Sequence, residues 1–140
     1  MTQVDFYILN DTAPRAPALL TCRLTEKAWK QGHRVYINAG SPQQLGELDD
    51  LLWTFRAGSF IPHGVYTETG TQQPVALGYG MEPEGHNDVL LNLNPEVPTF
   101  FSRFDRVAEL VGADEQARTV ARERYRYYQD RGYTLNTHKL

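Results

Sequence analysis

The chain predicts an α/β fold, and three observations predict it. Short apolar runs alternate with longer segments whose apolar residues recur at helical spacing, the β-α-β-α order that parallel strands with crossover helices require. The 140 residues are enough to bury roughly two-thirds of the extended surface in one core. No internal repeat, low-complexity tract or linker divides them, so one domain over residues 1–140 is expected.

Val4 to Leu9 is an apolar run broken only by Asp5 and closed by Asn10-Asp11, the pattern of a first strand. Pro14 and Pro17 open the next segment, since proline is tolerated in a helix's first turn. Leu19, Leu20, Leu24, Ala28 and Trp29 then mark one helical face, and Gly32 closes it. Val35 to Asn38 reads as a second strand. Ser41-Pro42 supplies an N-cap and a first helical residue for a helix through Leu45, Leu48, Leu52 and Trp53. Residues 57–64 read as a loop or short edge strand carrying large apolar groups, Pro74 to Tyr79 as a strand, and Gly80 to Asn87 as a turn. Asp88 to Asn94 is a buried strand stopped by Pro95.

The spacing of Phe100, Phe101, Phe104, Val107, Ala108 and Val111 predicts a short amphipathic helix over 100–111. Asp114-Glu115 begin the last helix with acids, where the macrodipole favours them, and the helix runs to about Arg131 before Gly132. The tail from Tyr133 to Leu140 is expected to be extended. The sum is a single-domain Rossmann-like sheet, mostly parallel, with helices on both faces.

A hydrophobic fraction of 41% and a charged fraction of 22% are ordinary for a globular protein and argue against disorder. The net charge of -3 is unevenly spread: residues 101–140 carry eight Lys/Arg against six Asp/Glu (+2), and residues 1–100 carry six against eleven (-5). A protein living on duplex phosphates is usually basic overall, and this one is not. One cysteine, Cys22, excludes an internal disulfide, fits a reducing compartment and reads as a buried, inert thiol. The N-terminus lacks the parts of a signal peptide, and no apolar run approaches the ~20 residues that span a bilayer. A cytoplasmic protein with no membrane partner is expected.

The last helix carries the strongest chemical signal. Arg118, Arg122 and Arg126 recur every fourth residue, so they lie almost one above the other, drifting by about 40° per step. Gln129 continues the strip and Tyr125 sits on its boundary, while Ala117, Val120, Ala121, Tyr127 and Tyr128 gather on the apolar side. Most charged helical strips are solvated faces. Here all three cations are arginines, suited to bidentate carboxylate recognition. Glu123 is the only nearby acid read within the helix, and it lies on another side, so the strip is expected to lack i,i+4 neutralisation. Arg124 projects toward the apolar side and is expected to be a structural arginine paired with a carboxylate or backbone carbonyls.

Rival functions leave weaker traces. No Gly-x-Gly-x-x-Gly follows the first strand and no Gly-x-x-x-x-Gly-Lys-Ser/Thr occurs, which disfavours a nucleotide-binding α/β enzyme. His33, His63, His86 and His138 are scattered without Cys or Glu partners at ligand spacing, and no nucleophile motif appears. No cofactor, metal site or catalytic residue is therefore expected. A direct single-stranded nucleic-acid binder would use the arginine strip for phosphates and Tyr125 for stacking, but the acidic remainder of the chain counts against it.

Several stretches, in order, resemble the chi subunit of the bacterial DNA polymerase III holoenzyme, part of the clamp-loader assembly. They are Phe6-Tyr7-Ile8-Leu9; Trp29 followed by Gly32-His33-Arg34-Val35; Leu52-Trp53 with Ser59-Phe60-Ile61-Pro62-His63; and Ala121-Arg122-Glu123-Arg124-Tyr125-Arg126 with Leu135-Asn136-Thr137 behind it. The likeness covers nearly the whole chain apart from residues 66–87. It implies a non-catalytic adaptor with two faces. One binds the acidic, phenylalanine-ended C-terminal tail of the single-stranded DNA-binding protein. The other binds the psi subunit as a heterodimer and through it the clamp loader, with a helicase-like protein competing there. For the tail, the resemblance implies Arg122 as the main arginine, with Arg126 and Arg118 as further cations, Tyr125 as an aromatic wall and Val111 at an apolar position. For psi it implies Trp53 and Phe60, which by residue type alone would be assigned to the core. Contact with nucleic acid would be indirect.

Overall fold

In the computed structural model, which describes residues 1–140, the strand β1 (Gln3–Ile8) lies next to the edge of a seven-stranded sheet. The other elements follow as α1 (Ala16–Lys30), β2 (Val35–Asn38), α2 (Pro42–Thr54), β3 (His63–Val65), β4 (Val75–Gly78), β5 (Val89–Asn92), β6 (Arg106–Val111), α3 (Glu115–Asp130) and β7 (Thr134–Lys139). The strand order is β3-β4-β2-β5-β6-β1-β7, and every neighbouring pair is parallel. The sheet is thus wholly parallel where the sequence predicts a mostly parallel one. The α1 and α2 helices cover one face, burying Leu20, Leu48 and Leu52 against Val35, Ile37, Leu77 and Leu91. Only α3 covers the other, packing Ala121 and Tyr128 over Val4, Phe6, Val107 and Val111. Both faces being covered explains the near-continuous apolar character of the central strands.

Local signals account for the helix ends. The Ser41 side chain accepts from the Gln44 amide and Pro42 follows at the first helical position. The Asp114 carboxylate accepts from the Ala117 amide at 2.8 Å. Past α3, Gly132 adopts φ +79°, a conformation that costs glycine little and lets the chain reverse into β7. At Gly78 the Tyr36 hydroxyl crosses so close that no Cβ would fit, which lets Tyr36 lie buried with its hydroxyl donating to Met81 O at 2.9 Å. Cys22 is fully buried, as expected, and burial pushes its thiol up to about 12, which disfavours the reactive thiolate.

The segment 100–111 departs from the predicted amphipathic helix. Phe101–Arg103 makes only a short 3-10 turn, Phe104 is already extended, and Arg106–Val111 is β6, between β1 and β5. A strand buried on both faces carries apolar residues at consecutive positions, and here that run matched a helical template. The reason the strand tolerates Glu109 at its centre is a closed polar network. Arg124 Nε donates to Glu109 Oε1 at 2.9 Å, the Tyr128 hydroxyl donates to Oε2 at 2.7 Å, and Asn92 Nδ2 donates to both oxygens at 3.0 and 3.1 Å. Complete burial raises the Glu109 carboxyl, against the pull of Arg124, Tyr128 and Asn92. Arg124 is therefore the structural arginine expected, and it fastens α3 to the sheet.

Candidate functional site

Where α3 crosses the β1–β7 edge of the sheet, the packing leaves a hollow of about 460 Å³. Strand register builds its floor. Val111, Ile8 and Lys139 stand in one row across β6, β1 and β7, and Phe6 and Thr137 stand side by side in a row below. Period-2 alternation turns all five to the α3 side. The roof is Ala121, whose methyl leaves the space open, with Arg118, Arg122 and Tyr125 from α3 and Asn10 just past β1. None of the lining residues is acidic.

Each predicted residue has a definite place. Val111 is buried in the floor. Tyr125 packs on Phe6 with ring centroids 5.3 Å apart, a tilted contact that holds its ring beside the hollow. Arg118 is tied down: one Nη2 donates to Leu9 O at 3.2 Å and to Asn10 Oδ1 at 3.1 Å, while its buried Nε has no partner. Arg122 is exposed. Its Nη2 is 3.8 Å from Glu115 Oε1, with the two side chains 64% and 81% exposed. Glu123 is therefore not the only acid near the strip, since Glu115 reaches Arg122 from two turns away, while no i,i+4 ion pair forms along it. At this distance and exposure the pair contributes little and yields easily to a better anion. Arg126 is exposed and does not border the hollow. Arg118, Arg122, Tyr125 and Val111 are thus brought together, and Arg126 stands outside them.

Sequence reasoning missed Phe6, Ile8, Asn10, Ala121, Thr137 and Lys139 as site residues. Their signal was present but split: alternate residues of β1 and β7 share a face only once the two strands are known to be neighbours.

The second predicted surface lies on the other side of the sheet. Trp53 is 53% exposed and Phe60 76% exposed, which overturns the assignment to the core that residue type alone suggests. The loop before Phe60 is fixed by Glu26, which accepts from Ser59 Oγ at 2.9 Å and pairs with Arg56 at 3.1 Å. Trp53 packs against His63, ring centroids 4.2 Å apart. His63 is itself held between Ile61 O at 2.7 Å and Asp49 O at 3.0 Å. Both aromatics are therefore displayed from rigid supports. No cluster of three or more His, Cys, Asp or Glu residues suited to a metal ion is present, and no helix is long and apolar enough to cross a membrane.

The chain is thus an open parallel α/β sheet with a cation-rimmed apolar groove on one face and two exposed aromatics on the other. The family model described as DNA polymerase III chi subunit, HolC, matches residues 1–136, and the chain belongs to that family. It is similar to DNA polymerase III subunit chi of Pseudomonas aeruginosa, 46% identical over 140 residues that cover 100% of this chain and 98% of the relative. The corresponding subunit of Escherichia coli is 32% identical over 143 residues, covering 98% and 97%. That of Haemophilus influenzae is 31% identical over 138 residues, covering 97% and 96%.

Proposed function

We propose that this chain is a non-catalytic accessory subunit that links single-stranded DNA-binding protein to the clamp-loader complex of DNA polymerase III. Its α3–β7 groove takes the acidic, phenylalanine-ended C-terminal tail of that protein. The surface around Trp53 and Phe60 takes the psi subunit. The observation that carries the reading is the pairing of an apolar hollow with a rim of cations and no acid. An enclosed cavity of about 150 Å³ already holds a benzene ring, so the hollow has room for a terminal phenylalanine and its approach. The ring would rest on Phe6, Ile8 and Val111 beside Tyr125. The tail's α-carboxylate would meet Arg122, with the Arg118 guanidinium beside it. Arg126, one turn further along α3, would act at longer range on the upstream aspartates.

Such a contact is weak singly and gains from number. Many tails on one coated strand raise the local concentration of the ligand, and that holds the attached machinery to the lagging strand without any new contact. Calorimetric titration with a tail peptide tests the reading. Arg122→Ala is expected to lose about 1.5–3 kcal/mol, the scale of a hydrogen bond to a charged group, or roughly 10- to 100-fold in affinity. Binding also weakens as salt is added. An unchanged dissociation constant for Arg122→Ala would remove that residue from the site.

A further inference from the structure

The groove is cationic on two sides, and only one of them is α3. On β7 the alternation sends Leu135, Thr137 and Lys139 to the α3 face, and His138 to the opposite face, where its ring stacks on Tyr7 at 4.6 Å. Register sets Lys139 level with Ile8 and, beyond it, Val111. The Leu140 amide donates to Ile8 O at 3.0 Å, so the backbone is anchored just past Lys139 and the side chain starts from a fixed point. Lys139 takes part in none of the protein's ion pairs, so its charge is uncommitted. Across the hollow, the Arg118 guanidinium is oriented by its hydrogen bonds to Leu9 O and Asn10 Oδ1.

From this arrangement we infer that Lys139 is a specificity-determining residue of the docking groove. It forms a second cationic wall, on the edge strand, which makes an acidic peptide lie across the sheet between α3 and β7. The inference rests on the groove being a site for an acidic peptide that ends in phenylalanine. A peptide laid along the outside of α3 would use Arg126 and leave Lys139 idle. A peptide laid across the groove places its acidic side chains between Arg118 and Arg122 on one wall and Lys139 on the other. Neutral peptides of the same shape would gain nothing from the second wall. The groove therefore selects for acidic residues close to the aromatic end.

The test is calorimetric titration of the full chain, at low salt, with a synthetic peptide carrying aspartates ahead of a terminal phenylalanine. Lys139→Ala should weaken binding roughly two- to fivefold and Lys139→Glu by about tenfold or more, as expected for losing or inverting one exposed charge contact. Lys139→Arg should bind like the parent, and Arg126→Ala should lose less than Lys139→Ala. Lys27→Ala removes the same charge from α1 on the other face of the sheet and should change nothing. If the parent binds and Lys139→Ala binds equally well, the second wall is overturned while the tail reading stands. Equal weakening by Lys27→Ala would reduce the effect to net charge and overturn it too. A parent chain that does not bind the peptide at all overturns both.

Discussion

Arg124 Nε sits 2.9 Å from Glu109 Oε1 in the closed interior, while Arg122, two residues earlier on the same helix, lies exposed with Glu115 no nearer than 3.8 Å. The two guanidiniums face different fates because a step of two residues turns the helix by about 200°. One arginine fastens the helix to β6. The other is carried on the strip that borders the groove. The strip's position over the groove therefore depends on a polar network that does not itself border the hollow.

Removing Arg124 should expose that dependence. Arg124→Ala leaves Glu109 without its charged partner in a fully buried position, a defect that costs about 3–5 kcal/mol. Urea unfolding is expected to show a loss of this size, against a change within about 0.5 kcal/mol for the exposed Arg126→Ala. Equal effects of the two substitutions would mean that the Glu109 network does not hold α3.

The sheet edge that floors the groove should weaken in acid. Burial alone would raise the Asp5 carboxyl, but hydrogen bonds from Arg106 at 3.0 Å and His138 at 3.1 Å, with the Arg106 charge, outweigh it and hold Asp5 below its ordinary 3.8. A carboxyl depressed in the folded state stabilises above its unfolded value and loses that contribution as pH falls through its lower folded value. The stability difference between the parent and Asp5→Asn should thus be constant near neutrality and shrink as pH drops below 3.8. Chemical denaturation across that range measures it, and a difference that grew in acid would contradict the pairing.

Phe60 offers the converse case, a large apolar side chain whose loss should not harm the fold. At 76% exposure it has little burial to lose, so Phe60→Ala should leave the thermal midpoint nearly unchanged. Capture of the psi subunit should fall, because exposed aromatics on rigid supports are typical interface anchors. Undiminished capture would remove Phe60 from that surface.

Much of this was legible in the sequence for identifiable reasons. Ser41-Pro42, Asp114 and Gly132 announced helix ends because capping, the helix dipole and positive φ respectively favour those residue types locally. The arginine strip was legible because helical periodicity alone places Arg118 and Arg122 together. The strand β6 was misread since burial on both faces removes the alternation that marks a strand, and Glu109 at its centre is explained only by Arg124, Tyr128 and Asn92 from distant elements. The groove floor was hidden for a related reason. Phe6, Ile8, Thr137 and Lys139 become neighbours only through the parallel pairing of β1 with β7, which joins the two ends of the chain. Exposure of Trp53 and Phe60 was likewise beyond residue type, and only the family resemblance pointed to it.

The most direct measurement is the mapping of backbone amide shifts in the labelled full chain as an acidic, phenylalanine-ended peptide is added. Docking in the groove should centre the perturbed amides on Phe6 to Asn10, Val111, Arg118 to Tyr125 and Thr137 to Lys139, and a peptide lacking the terminal phenylalanine should perturb them far less. Perturbations centred on Trp53 and Phe60, or spread evenly over exposed cations with no loss when the phenylalanine is removed, would contradict it.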